Sequence, residues 1–216
     1  MNGAKSSTAT ATTATASDAR GYTGRFAPSP TGPLHLGSLA AAVASYLEAR
    51  TRGGRWLVRV EDLDRPRALP GMADVHLRTL EALGFAWDGP VRVQSAHLET
   101  YAAALDRLRQ PGRIYPCTCS RAEIAALGPP TGSQDEEELH YPGVCRNGAR
   151  HPGRKAALRF SVPDRRITFD DRWQGPIADN VALSSGDFIV SRRDGITAYQ
   201  LAVVVDDALQ DVSDVV

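Results

Sequence analysis

The chain has 216 residues, 42% of them hydrophobic and 23% charged, with a formal net charge of zero. That length can bury a full core, the composition excludes overall disorder, and the charge balance gives no global argument for nucleic-acid binding. No apolar run approaches the roughly 18 residues of a membrane-spanning helix, so no membrane partner is expected.

Residues 1–20 begin with a Ser/Thr/Ala-rich stretch that lacks the apolar core of a secretory signal, and a disordered tail is predicted there. Tyr22 to Ala27 reads as a strand. It runs into "PSPTGPLHLG", a stiff corner, and "SLAAAVASYLEAR" follows as a helix with Ser38 as its cap and Leu39, Val43, Tyr46 and Leu47 on one stripe. "RWLVRV" at 55–60 is a second strand, ending in "EDLD". Strand, helix and strand within about 40 residues predict a right-handed parallel βαβ unit.

A helix is predicted from Pro70 with Met72, Val75, Leu80 and Leu83, and another over Ala96–Arg109 with Leu98, Tyr101, Leu105 and Leu108 inward. From residue 113 to 155 the texture changes: all three cysteines, many turn residues and the acidic run "DEEE" fall there, as in an inserted subdomain. Strands return in "KAALRFSV", "RITFDD" and "DFIVSRRD". The apolar run "AYQLAVVVDD" (198–207) reads as a buried parallel strand. The fold class is therefore α/β with an interruption.

The corner at 24–39 holds three prolines, three glycines and one histidine. A strand running through such a turn into a helix N-terminus offers main-chain N–H groups and a positive dipole end to a phosphate. Gly37 leaves space for a flat base against the backbone, and His35 can donate a hydrogen bond to a phosphate oxygen without having to act as a base. Cys117, Cys119 and Cys145 suit a tetrahedral zinc site with a fourth ligand from His140, Tyr141 or His151. Arg146, Arg150, Arg154, Lys155 and Arg159 form a local basic stretch on a neutral chain. The odd cysteine count without an export signal predicts reduced thiols and a cytoplasmic location.

"RFAPSPTGPLHLGSL", "GRWLVRVEDLDRPR", "QSAHLETY", "YPCTCSR" and "DFIVSRRDGITAYQLAVVVDD" together resemble the glutamate-specific class I aminoacyl-tRNA synthetases. The resemblance is strongest to the glutamyl-Q branch, which keeps the catalytic domain, lacks an anticodon-binding domain and attaches glutamate to queuosine of the tRNA(Asp) anticodon. It implies a Rossmann-like catalytic domain with a parallel sheet, split into 21–112 and 156–216 by a zinc-binding insertion at 113–155. It also implies an ATP-dependent ligase that modifies tRNA, works as a monomer and uses glutamate, ATP with Mg2+, and Zn2+.

Residue by residue, the resemblance assigns glutamate contacts to Arg25, Ser29, Glu61 and Tyr199. It assigns ATP contacts to Pro28, His35, Gly37 and Ser38, with His35 and Ser38 at the catalytic signature. Its Cys-x-Cys and Tyr-x-x-x-Cys pattern implies Cys117, Cys119, Tyr141 and Cys145 as metal ligands, with His140 in reserve. The signature reads HLGS, so Ser38 stands where a second histidine is common. A second signature, a lysine loop on the pyrophosphate side, has no counterpart here, since Lys155 is the last lysine. A C-terminally shortened catalytic portion is therefore expected. Asp211 occupies a place where the family often has glycine. Two other readings are a catalytic fragment that charges tRNA(Glu) and a non-catalytic, zinc-containing RNA-binding remnant.

Overall fold

The computed structural model describes residues 21–126 and 140–216. The predicted tail and the acidic run lie outside the described residues. In chain order the elements are β1 (Thr23–Phe26), α1 (Leu36–Thr51), β2 (Arg55–Val60), α2 (Met72–Ala82), β3 (Arg92–Val93), α3 (Leu98–Arg109), β4 (Ile114–Cys117), α4 (Arg121–Ala125), β5 (Ala157–Phe160), β6 (Ile167–Asp171), β7 (Gly175–Asp179), α5 (Val181–Ser184), β8 (Ile189–Ser191) and α6 (Tyr199–Leu209). The chain forms two compact units, one from 21–60, 69–92 and 211–216, the other from 61–68 and 93–210. No described helix is long and apolar enough to cross a membrane.

In the first unit β1 and β2 pair in parallel, from Thr23 opposite Arg55 to Phe26 opposite Val58, with α1 as the crossover. The fold is α/β, as expected. α1 buries only part of its predicted stripe: Tyr46 packs against the core, but Val43 and Leu47 are exposed, and Ala42, Ser45 and Ala49 take the inward face. Small side chains let the helix approach the strands, and Ser45 Oγ accepts the indole N–H of Trp56 at 3.0 Å. Trp56 is fully buried, with Phe26 and Phe85 stacked on it and Tyr46 edge-on at 5.0 Å. Gly54 ends the crossover where no Cβ fits, since one built there would lie 2.4 Å from the Tyr22 carbonyl oxygen. Asp88 takes the Trp56 N–H and the Arg50 guanidinium, each at 2.8 Å. Burial raises its pKa, but these bonds prevail and hold the carboxyl below its ordinary value.

Near the C-terminal end Ser213 N–H donates to Thr23 O at 2.9 Å, and Thr23 N–H donates to Ser213 Oγ. Asp211, just before, takes a φ of 52°, the one positive φ outside glycine among the described residues. Its short side chain makes that conformation tolerable.

In the second unit β4, β5 and β8 form an antiparallel sheet, and β6 and β7 a hairpin. The run predicted as a strand over 198–207 is helical instead, as α6. A continuous apolar run does not by itself separate a strand from a buried helix. Side-chain contacts decide: Leu201, Ala202 and Asp206 share one buried face, while Val204 on the other is exposed. Asp206 accepts the Tyr101 hydroxyl of α3 and the Gln94 side-chain amide, both at 2.8 Å. Tyr101 and Leu105 of α3 are inward as predicted, but α2 buries His76 and Leu80 and leaves Leu83 exposed.

Candidate functional site

The corner begins where β1 ends. Pro28, Pro30 and Pro33 supply no N–H, so few main-chain bonds hold it: Thr31 N–H to Ser29 O at 2.9 Å and Leu69 N–H to Pro30 O at 2.8 Å. Arg25 is half-buried on β1, Pro28 half-buried, and Ser29 exposed. The cap of α1 is His35, not Ser38 as predicted. His35 has extended backbone angles, and its Nδ1 accepts the Ser38 N–H at 3.2 Å. Ser38 sits one turn inside the helix and supplies the capped N–H. A histidine next to a glycine and a serine matches no common cap pattern, so the sequence hid this role.

The cap has a chemical consequence. With Nδ1 accepting, the proton of a neutral ring lies on Nε2. Exposed His35 thus presents an N–H donor at the N-terminus of a 16-residue helix whose first turn holds no acidic residue. Gly37 belongs to the same device: a Cβ there would stand 3.1 Å from Cε1 and Nδ1 of the ring. Its predicted role, space for a base, is joined by space for the capping imidazole. The group Arg25, Pro28, Ser29, His35, Gly37 and Ser38 lies in the first unit, whereas Glu61, buried just after β2, and Tyr199, exposed at the start of α6, lie in the second.

The cap and the donor are separable by mutation. His35→Asn retains a side-chain oxygen for the Ser38 N–H and loses the second nitrogen. The expected result is unfolding stability within about 0.5 kcal/mol of the parent and a loss of about 100-fold in any phosphate-dependent activity. Denaturant melts and rate measurements on one preparation check it.

The second cluster lies in the second unit. Cys117 closes β4, Cys119 follows, and Cys145 comes from the segment after Tyr141; all three are buried and their Sγ atoms lie within 4.8 Å of one another. Cys119 and Cys145 are 3.6 Å apart. Four ligands around zinc at 2.3 Å from each sulfur imply sulfur separations of about 3.8 Å, so the thiols are spaced for such an ion. The Tyr141 hydroxyl lies 3.3 Å from Cys117 Sγ and 3.9 Å from Cys119 Sγ, and it accepts the Cys145 N–H at 3.0 Å. Both histidines make contacts away from the thiols. His140 Nε2 is 3.4 Å from Ala182 O, and His151 Nε2 is 2.8 Å from Glu123 Oε1.

Burial resists ionisation of Cys145, yet bonds from Tyr141 and from the Arg150 and Thr118 N–H groups bring it down to about 6. Burial and the bond with Cys145 push Cys119 up to about 11, and burial also raises Tyr141. Glu123 closes a capping box with Ser120 on α4 and holds His151 and Arg154, which ties the 150–155 loop beside the thiols.

Behind the thiols stands Asp187, fully buried and not singled out by sequence reasoning. Its carboxylate accepts Arg146 Nε and Nη2 at 2.6 Å each, the Val162 N–H at 2.9 Å and the Tyr115 hydroxyl. The Asp187 N–H reaches Tyr141 O at 3.3 Å, and the Arg159 guanidinium covers the Tyr141 ring at 3.8 Å. No local pattern could have found it, because its partners lie 25 to 72 residues away.

Comparison with known proteins places this geometry in context. The family described as "tRNA synthetases class I (E and Q), catalytic domain" matches residues 22–216. The chain is 56% identical over 195 residues to the glutamyl-Q tRNA(Asp) synthetase of Dechloromonas aromatica, covering 90% of this chain and 64% of that protein. It is 54% identical to the glutamyl-Q tRNA(Asp) synthetase of Geobacter sulfurreducens, covering 89% of this chain and 61% of that one. The chain thus spans less than two thirds of the length of these curated relatives. Among solved structures, the glutamate tRNA ligase of Elizabethkingia meningosepticum in complex with its amino acid is similar with a TM-score of 0.72 and 27% identity, over 91% of this chain and 43% of that one. The profile match across nearly all of the described residues, on an α/β fold of that kind, means that the chain belongs to the class I tRNA synthetase catalytic-domain family for glutamate and glutamine.

Proposed function

We propose that the protein activates glutamate with ATP and passes the glutamyl group to queuosine in the anticodon of tRNA(Asp). The observation that carries this reading is the capped corner. It combines a proline-stiffened turn, a helix N-terminus with no acidic residue in its first turn, and a capping histidine whose neutral tautomer leaves Nε2–H as a hydrogen-bond donor suited to a phosphate oxygen. The identity to glutamyl-Q relatives supports the acceptor.

In this reading the glutamate carboxylate attacks the α-phosphorus of ATP, pyrophosphate leaves, and an acceptor hydroxyl of the RNA then takes the glutamyl group from AMP. Arg25 holds a substrate carboxylate through a charge-assisted pair, Ser29 and Tyr199 orient the amino acid, and Glu61 faces its ammonium. Pro28, Gly37 and Ser38 shape the ATP cradle, and His35 donates to developing charge on phosphate. No protein nucleophile is needed, so catalysis is positioning and charge stabilisation. Magnesium accompanies ATP through the phosphates.

Cys117, Cys119, Tyr141 and Cys145 would hold zinc in the 113–155 insertion. The ion supplies folding energy there and no step of the transfer. We expect one zinc per chain, lost in Cys145→Ala, and a lower melting temperature after chelation; metal analysis and thermal melts check both.

Glutamate-dependent ATP–pyrophosphate exchange on this chain, without RNA, tests the function. Exchange supports adenylate formation and a glutamyl-Q type that does not wait for RNA. A folded, zinc-loaded chain that shows no exchange with or without RNA overturns the enzymatic reading for these residues. Exchange only with tRNA(Glu) shifts the assignment to a charging enzyme.

A further inference from the structure

α2 carries a histidine that none of the chemistry above uses. His76 is 1% exposed, and its Nε2 lies 2.7 Å from the Gly32 carbonyl oxygen. A carbonyl oxygen only accepts, so Nε2 carries the ring proton, and in the neutral ring Nδ1 holds a lone pair. That Nδ1 is buried without a hydrogen-bond partner. An unpartnered polar atom in the interior is a cost that an apolar side chain at this place would avoid. What histidine adds over leucine is the donor to Gly32.

Gly32 sits midway between Ser29 and His35 in a corner short of main-chain bonds. Three prolines remove donors there, and the second hold on the corner comes from the lead-in to the same helix, through Leu69 N–H to Pro30 O at 2.8 Å. The α2 segment thus grips the corner at two carbonyls two residues apart, Pro30 and Gly32, from residues more than thirty positions away in sequence. Beyond Gly32 the chain passes through Pro33 and Leu34 directly into the His35 cap. A shift of the Gly32 carbonyl therefore moves both the cap and the helix N-terminus that it serves.

We propose that His76 is a positioning residue for the nucleotide site: by holding the Gly32 carbonyl it sets where His35 and the N-terminus of α1 meet ATP. The inference rests on the reading of the corner as an ATP site. His76 touches no reacting atom in it and acts only through the main chain of the corner.

The test compares the 216-residue chain with His76→Gln, whose side-chain amide can still donate to Gly32, and His76→Leu, which fills the space without a donor. Leu80→Val, on the same helix and buried against the core, serves as a control for general loosening. Calorimetric titration with MgATP, the KM and kcat of pyrophosphate exchange, and amide exchange at Thr31 and Leu69 are the readouts. For His76→Leu the dissociation constant and KM for ATP should rise about tenfold with kcat within about twofold, and the Thr31 and Leu69 amides should exchange faster. His76→Gln should stay within about twofold of the parent in all three.

Unchanged ATP affinity and amide exchange in His76→Leu overturn the proposal, as does an equal loss in His76→Gln or in Leu80→Val. A parent chain that binds no MgATP overturns the reading of the corner, and this inference with it. A parent that binds normally beside an unaffected His76→Leu overturns the inference alone.

Discussion

Asp187→Ala is expected to destabilise the chain by about 3–5 kcal/mol and to weaken zinc binding at the thiols. The carboxylate is fully buried and neutralises Arg146, while also taking the Tyr115 hydroxyl and the Val162 N–H. Its removal strands a main-chain donor and a phenol in the interior and frees the guanidinium next to Cys145. Tyr115 lies two residues before Cys117, and Arg146 follows Cys145, so both arms of the thiol cluster loosen together. Chemical denaturation and zinc competition with a chromogenic chelator measure the two effects. A variant as stable as the parent would show that the network adds nothing to folding.

The same carboxylate sets a pH dependence. Burial alone would raise its pKa, but the Arg146, Tyr115 and Val162 bonds prevail and hold it below the ordinary value of 3.8. A group whose folded pKa lies below its unfolded one binds protons more readily when unfolded, so it stabilises the fold above the unfolded value. That contribution is complete above about pH 5 and fades as pH falls through the folded value. Denaturation midpoints followed from pH 6 downward should therefore drop for the parent, and more shallowly for Asp187→Ala.

Gly186→Ala is the second large effect, at about 2–4 kcal/mol. Gly186 has a φ of 72° and bridges Tyr141, and a Cβ there would lie 2.3 Å from the Tyr141 carbonyl oxygen. Strain and collision both push on the segment that carries the Tyr141 hydroxyl. The expected outcome is a lower denaturation midpoint with reduced zinc affinity. Gly195→Ala, also at positive φ but with open space around its Cβ position, should lose only the smaller conformational part. Equal losses in the two variants would show that the close approach to Tyr141 carries no weight.

Gly186 and Asp187 illustrate why part of this molecule was not legible beforehand. In the sequence they are a turn glycine and the ordinary acid that opens a predicted strand. Their importance comes from partners brought close by the antiparallel β4–β5–β8 sheet and by the bridge to Tyr141. His76 reads as one polar position in an amphipathic helix, and only folding puts Gly32 in front of it. The misread run at 198–207 has the same origin. Its apolar content suited a strand, and the partners that favour a helix, Tyr101 and Gln94, lie about a hundred residues earlier.

The sequence by itself determined the parallel βαβ start, the proline–glycine corner, and the trio of cysteines. These features depend on near-neighbour chemistry: alternation of apolar runs, loss of main-chain donors at proline, and ligand types set a few residues apart. Only the tertiary structure decided that His35 rather than Ser38 caps α1, that small residues rather than Val43 and Leu47 face the strands, and that Tyr141 rather than a histidine meets the thiols. Each of those outcomes turns on which atoms lie within about 3 Å after packing. Local sequence cannot specify such a choice, because each candidate side chain is placed only when the rest of the chain packs around it.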